Sequence, residues 1–176
     1  QALSSDFHPR GNRLAIVTNG GGPAVMAADR TADLGIELAA LSGDTLRTLN
    51  DGLPATWSKR NPIDIVGDAD AVRYRLALSA CLADDAVDGA LVILTPQAMT
   101  QPLAVAEAVI DVARQSGKPL LACWMGESQV AEARAAFVRA RIPVFRTPEP
   151  AVEVFSFISA YVHNRQLLLQ TLGPLA

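Results

Sequence analysis

The stretch that decides the fold is Arg13-Leu-Ala-Ile-Val-Thr-Asn-Gly-Gly-Gly-Pro-Ala-Val-Met-Ala-Ala-Asp29. Its apolar run predicts a strand over 13–18 that is buried on both faces. Glycines and a proline interrupt the run at 20–23, and a helix is predicted over 24–34, closed by Gly35. A strand that leads through a glycine-rich turn into a helix is typical of folds in which strands and helices alternate.

The rest of the chain continues this alternation. Three of the five predicted strands are continuous apolar runs, as in a parallel sheet that helices cover on both faces. We therefore predict an α/β fold, a three-layer α/β/α sandwich around a five-stranded parallel sheet in the order 2-1-3-4-5. The further strands are predicted over 36–41, 87–94, 119–125 and 142–146, and the further helices over 42–49, 70–82, 102–115, 127–140 and 147–165. The predicted division of the chain is a linker over 1–12, one domain over 13–165 and a tail or linker over 166–176.

Candidate ligand-binding residues follow strands 1 and 3, which flank the predicted switch point. Ligands of such sheets bind beyond the carboxyl ends of the strands there. Glycines can adopt positive φ and let a ligand approach, and a helix N-terminus favours an anion. The sequence therefore predicts a phosphate site, although the same residues would also form a plain strand-to-helix turn. The residues concerned are Asn19, Gly20, Gly21 and Gly22 after strand 1, with Thr95 after strand 3.

The glycine pattern matches neither of the two common nucleotide-binding loops. Position 25 is Val, so the dinucleotide fingerprint G-x-G-x-x-G is absent, and no Lys-Ser/Thr pair follows as in a phosphate loop. A second candidate feature is the proline-containing segment 52–69, which is long for a connection in a compact domain. Its Asp64 could fold back over the switch point, or it could be an ordinary turn carboxylate.

The amino-acid composition argues against several classes of protein. Fifteen Lys+Arg and 18 Asp+Glu give a net charge of −3, and half of the 176 residues are hydrophobic. These values exclude global disorder and argue against nucleic-acid binding. No apolar run approaches the ~20 residues of a membrane helix, so we expect a cytoplasmic protein without membrane contact.

Cysteines and histidines give no catalytic or metal signal. Cys81 and Cys123 lie in apolar segments and are expected to be buried thiols. No Cys/His cluster has metal-ligand spacing, so no metal site is predicted. His8 lies in the predicted linker and His163 on the last predicted helix, and neither has a matched nucleophile. We therefore predict no catalytic residue in this chain.

Three ordered motifs carry a family resemblance. They are the segment 13–29, Asn61-Pro-Ile-Asp64 and Pro143-Val-Phe-Arg-Thr-Pro-Glu149. Together they resemble one domain of the NDP-forming acyl-CoA synthetases, which include the ADP-forming acetate–CoA ligases and relatives of succinyl-CoA synthetase. The resemblance covers about residues 11–165 and implies a flavodoxin-like fold. The same arrangement occurs in bacterial protein lysine acetyltransferases that carry a fused GNAT domain.

The resemblance implies a place in a phosphoryl-transfer reaction. In the ligases, a histidine of another domain becomes phosphorylated and is held between the N-termini of helices. An ATP-grasp domain exchanges the phosphoryl group with ADP, and a Rossmann domain binds CoA. A parent enzyme is thus expected to use CoA, ATP/ADP and Mg²⁺, with no cofactor bound by this domain alone. Carried onto this sequence, the phosphate-binding residues are Asn19, Gly20, Gly21 and Gly22, and the residues of the loop support or rim are Asn61, Asp64 and Thr95.

The expected partners are therefore the CoA-binding, phosphohistidine and ATP-grasp domains of the same parent chain, with a homo-oligomer also possible. His8 does not match the segment that carries the phosphorylated histidine, so the chain alone should be catalytically silent. An alternative stays open, in which the chain is a non-catalytic regulatory or assembly domain of a GNAT-fused acetyltransferase.

Overall fold

The computed structural model describes residues 9–171 and shows parallel strands alternating with α-helices. The predictions for residues 1–8, including His8, and for residues 172–176 lie outside the described residues. The strands are β1 (Arg13–Thr18), β2 (Glu37–Leu38), β3 (Ile63–Asp64), β4 (Gly89–Leu94), β5 (Leu120–Trp124) and β6 (Val144–Phe145). The helices are α1 (Gly21–Asp33), α2 (Gly43–Gly52), α3 (Ala71–Ala83), α4 (Pro102–Gln115), α5 (Ala131–Arg139) and α6 (Pro148–Thr171).

The sheet has the order β2-β1-β4-β5-β6, which is the predicted order for the five predicted strands. The predicted number of strands was wrong, because the sheet also contains β3, which pairs with β1. β2 pairs with Arg13 and Leu14, whereas β3 pairs with Val17 and Thr18. Two short strands therefore follow each other along one edge of β1.

The side chain of Asn61 fills the gap between these two short strands. Its Oδ1 accepts a hydrogen bond from Ile16 N at 3.0 Å, and its Nδ2 donates to Leu14 O at 2.8 Å and to Ala39 O at 3.1 Å. A side-chain amide offers the same donor and acceptor as a peptide group. Asn61 thereby continues the hydrogen bonding along β1 and fixes the start of β3.

Two apolar layers enclose the sheet, which confirms the predicted α/β/α sandwich. Alternate residues of a strand point to opposite faces. Leu14 and Ile16 therefore join the core beneath α1 and α6, while Ala15 and Val17 join the larger core beneath α2 to α5. Every residue of β4 is buried, as expected for a strand covered on both faces.

Helix bounds differ from the prediction at several places: α2 ends at Gly52 instead of Leu49, α5 begins at Ala131 instead of Glu127, and α1 and α6 differ as well. α1 begins at Gly21 instead of Ala24, so the glycines form its first turn rather than a preceding loop. α6 continues through the predicted tail to Thr171, and the domain limits proposed from the sequence stay a prediction. Within residues 9–171, no helix has both the length and the apolar character needed to cross a membrane.

Candidate functional site

The N-terminus of α1 lies at the carboxyl edge of the sheet, where β1 and β4 lie side by side. Gly20 is the N-cap residue and offers no side-chain cap, and Gly21 and Gly22 are exposed. Nothing in residues 9–171 accepts a hydrogen bond from the N–H of Gly21 or Gly22. Pro23 has no N–H, so these two groups are the open donors of the first turn.

Steric room, not backbone conformation, explains Gly20, whereas no close contact requires glycine at Gly21 or Gly22. Gly20 does not use the positive φ that glycine permits, since its backbone is extended with φ −146°, and positive φ occurs at other glycines, Gly35 and Gly126. A Cβ on Gly20 would lie 3.0 Å from Thr95 Oγ1. A Cβ on Gly21 would lie 3.6 Å from Asp64 Oδ2, and one on Gly22 would meet no atom within 4 Å. The surface above Gly22 is thus open to an incoming group.

The side-chain amide of Asn19 is hydrogen-bonded within the protein. It is buried, and its Oδ1 accepts a hydrogen bond from Thr95 N at 2.8 Å while its Nδ2 donates to Thr95 O at 2.8 Å. The same Nδ2 lies 3.5 Å from Gly67 O. The amide of Asn19 is therefore occupied and positions the ends of β1 and β4 instead of reaching a ligand.

Thr18 holds the N-cap residue in place, a contact that the sequence analysis missed. Its Oγ1 accepts a hydrogen bond from Gly20 N at 3.0 Å and lies 3.1 Å from Gly20 O. The N–H of Gly20 is thus engaged, which leaves Gly21 and Gly22 as the donors that face outward. A hydroxyl residue two positions before a helix N-cap glycine was the available signal.

The strand β3 brings Asp64 to this site, beside Thr18. The Asp64 carboxylate accepts a hydrogen bond through Oδ1 from Val66 N at 2.9 Å, which orders the turn that follows β3. Val66 has φ +74°, a conformation that β-branched residues rarely adopt. The other oxygen of the carboxylate lies next to Gly21, so a negative charge flanks the open end of α1.

Three buried groups near the sheet, one tyrosine hydroxyl and two thiols, stay neutral. Burial raises the pKa of the Tyr74 hydroxyl well above its ordinary value, and that hydroxyl donates to Ile93 O at 2.9 Å. Cys81 and Cys123 are free and buried, and burial raises the pKa of each thiol to about 12. Among residues 9–171, no group of His, Cys, Asp and Glu side chains is placed to hold a metal ion.

Comparisons with known proteins agree on one family. Residues 14–167 match the family described as the Ligase-CoA domain. Acetate–CoA ligase [ADP-forming] I of Archaeoglobus fulgidus is 40% identical over 155 residues, which are 88% of this chain and 22% of that protein. Acetate–CoA ligase [ADP-forming] II subunit alpha of Pyrococcus furiosus is 34% identical over 146 residues, 80% of this chain and 32% of that subunit.

A solved structure is similar over nearly the whole chain. It is the dinucleotide-forming acetyl-coenzyme A synthetase 1 of Ca. Korarchaeum cryptofilum in complex with phosphate and ADP, with a TM-score of 0.89 and 34% identity. The similarity covers 98% of this chain and 38% of that one. The chain spans about a fifth to a third of the length of the two curated ligases that it matches.

Proposed function

Because the chain belongs to the Ligase-CoA domain family, we propose that it serves as one domain of an NDP-forming acyl-CoA synthetase. In this proposal, the N-terminus of α1 stabilises the phosphoryl group of a phosphohistidine that another domain supplies. The complete reaction is acyl-CoA + ADP + phosphate ⇌ acid + CoA + ATP. The relatives are longer proteins, which supports the assignment of the CoA, nucleotide and Mg²⁺ sites to other domains.

The observation that carries the proposal is the pair of open N–H donors at Gly21 and Gly22. They lie at the positive end of a helix of 13 residues, where an anion is favoured. The bonds between Asn19 and Thr95 hold the strand ends beneath them, so the donors are preorganised. Preorganised donors stabilise charge as it develops, without a reorganisation cost in the transition state.

Asp64 should make these donors favour a phosphoryl group on a histidine over free phosphate. Its carboxylate lies beside Gly21, so it repels a free phosphate dianion and weakens the affinity for it. A phosphoryl group attached to an imidazole ring whose other nitrogen is protonated suits the pair better, because the carboxylate can accept the hydrogen bond of that N–H. We therefore expect the isolated chain to bind free phosphate only weakly.

The test is the substitution Gly21→Glu in the parent enzyme. A carboxylate at this position would occupy the anion site, and turnover should fall at least about 100-fold, as when preorganised donors to a reacting oxyanion are lost. Gly117→Glu is the matched control, since Gly117 is exposed and has no atom within 4 Å of a new Cβ. Wild-type turnover in Gly21→Glu would refute the proposed role of α1.

The alternative role, a regulatory domain of an acetyltransferase, gains no support from the comparisons. The relatives carry the names of ligases and a synthetase. No feature of residues 9–171 favours the alternative, and we do not propose it.

A further inference from the structure

Asn19 and Gly20 form the one Asn–Gly peptide of the sequence, since none of the other four asparagines precedes a glycine. Such a pair is chemically labile. The backbone nitrogen that follows an asparagine can attack the side-chain Cγ, and glycine hinders this attack least because it has no Cβ and a permissive backbone. The lifetime of the intact chain therefore depends on how the fold holds these two groups.

The fold engages both reacting groups. Asn19 is 2% exposed, and its side-chain amide is tied to the end of β4 by the two hydrogen bonds of 2.8 Å with Thr95 N and Thr95 O. The attacking nitrogen, Gly20 N, donates to Thr18 Oγ1 at 3.0 Å. The carboxyl ends of β1 and β4 must separate to free the amide, and the Thr18 contact must break to free the nitrogen.

We propose that the Asn19–Gly20 peptide is a deamidation site that becomes reactive when this edge of the sheet opens. Gly20 N then forms a bond to Asn19 Cγ and gives its proton to water, while Nδ2 takes up a proton and leaves as ammonia. Water opens the resulting cyclic imide at one carbonyl to give aspartate, or at the other to give isoaspartate. No atom changes its oxidation state, and water is the only co-reactant.

The products cannot restore the edge. A carboxylate only accepts hydrogen bonds, so one oxygen of an aspartate at position 19 would face Thr95 O, to which Nδ2 now donates at 2.8 Å. The negative charge would also be buried, and no cation is among the hydrogen-bond partners of this side chain. Isoaspartate adds a methylene to the backbone directly before α1. Opening followed by reaction is therefore irreversible, whether or not α1 binds a phosphoryl group.

Mass spectrometry of the proteolytic peptide that contains Asn19 tests the proposal, after incubation at mildly alkaline pH with and without guanidinium chloride. Only a fraction on the order of 10⁻³–10⁻⁶ of a native protein is unfolded, so the native chain should deamidate at least about 100-fold more slowly than the denatured one. Asn12 and Asn164 precede arginine and are the internal controls, which should react far more slowly than Asn19 in the denatured chain.

Thr18→Val keeps the shape of a buried side chain and removes the acceptor of the Gly20 N–H. Deamidation of the native protein should accelerate about 5-fold, the effect of one lost hydrogen bond. Thr31→Val is the matched control, because Thr31 is also buried and its hydroxyl donates to Ala28 O at 2.7 Å, farther along α1. It should accelerate the reaction less, and in guanidinium chloride all three chains should react at one rate.

Three results would overturn the proposal. Equal rates in the native and denatured chains would show that the fold does not protect this peptide. A denatured chain that stays intact at Asn19 would show that the site has no intrinsic reactivity. Equal acceleration in Thr18→Val and Thr31→Val would show that general unfolding, and not opening at this edge, controls the reaction.

Discussion

Asn19 and Thr95 are joined by two hydrogen bonds of 2.8 Å each, between the side-chain amide of Asn19 and both backbone polar groups of Thr95. Asn19 follows β1 and Thr95 follows β4, so the pair ties together the two strand ends that flank the switch point. The carboxyl edge of the sheet is therefore fixed by the protein itself, before any ligand arrives.

Asn19→Ala should lower the free energy of unfolding by about 2–4 kcal/mol. The substitution leaves the N–H and C=O of Thr95 without partners, and each buried unsatisfied group costs about 1–3 kcal/mol. Urea denaturation measures the change, with Asn164→Ala on the exposed side of α6 as the matched control. A loss under about 0.5 kcal/mol, the size of an ordinary surface substitution, would contradict this account of the Asn19–Thr95 hydrogen bonds.

Alanine substitution should distinguish Gly20, where there is no room for a Cβ, from Gly22, where the space is open. In Gly20→Ala, the new Cβ meets Thr95 Oγ1 at 3.0 Å, so we expect a loss of about 1–3 kcal/mol from overpacking. In Gly22→Ala, the Cβ enters open space within the first turn, and the stability should stay the same or rise by about 0.5–1 kcal/mol. Thermal unfolding of both variants measures this. Equal losses at both positions would show that space above Gly22 is not open.

Asp88 should make stability depend on acid pH. Burial raises the pKa of its carboxyl, but the hydrogen bonds and charge of Arg13 outweigh that effect and hold the pKa below its ordinary value. The pKa of this carboxyl is lower in the folded protein than in the unfolded chain, where it is about 3.9. The ion pair with Arg13 therefore stabilises the fold fully above that pH. It is lost as the pH falls through the folded pKa.

Asp88→Asn should therefore lower the free energy of unfolding at neutral pH by about 1–3 kcal/mol, the cost of disturbing a buried hydrogen-bonded group. Its stability should also fall less than that of the wild type between about pH 4 and pH 2. Urea denaturation across this range measures both effects. Asp29→Asn, on the surface of α1, is the control. An unchanged slope in Asp88→Asn would contradict the role of this ion pair.

Asp64→Ala should loosen the segment 52–69 without unfolding the domain. The carboxylate accepts the hydrogen bond of Val66 N at 2.9 Å, and its loss should speed amide exchange at Val66 about 5-fold, for a bond worth about 1 kcal/mol. Asp64→Asn keeps an acceptor oxygen and should exchange at nearly the wild-type rate. Equal exchange rates in Asp64→Ala and the wild type would mean that other contacts order this turn.

The buried strands could be predicted from the sequence because each of them is a continuous run of apolar residues. β1, β4 and β5 lie where these runs indicated, and the chain order of strands and helices led to the observed sheet order. β3 could not be found in this way, because a proline precedes it and its two residues, Ile63 and Asp64, belong to no continuous apolar run. It exists because β1 pairs with it and because the Asn61 side chain bonds to Leu14 and Ile16.

The sequence predicted where the candidate site lies, but not which hydrogen bonds and neighbours its side chains have. Strand ends and a helix N-terminus placed the candidate residues together, since parallel strands end at one edge. The occupation of the Asn19 amide by Thr95, 76 positions along the chain, depends on how β4 lies beside β1. The neighbourhood of Asp64 and Gly21 likewise depends on β3. Contacts over such separations are set by tertiary packing and leave no local signal.

The central claim is that the first turn of α1 binds a phosphoryl group, and a phosphate titration of this chain followed by amide NMR tests it most directly. We predict saturable shifts confined to residues 19–24, with half-saturation in the millimolar range, tighter binding in Asp64→Asn and no binding in Gly21→Glu. The absence of saturable shifts up to about 50 mM, well above the millimolar affinity of a weak site, would contradict the account. Shifts that persist in Gly21→Glu would contradict it as well.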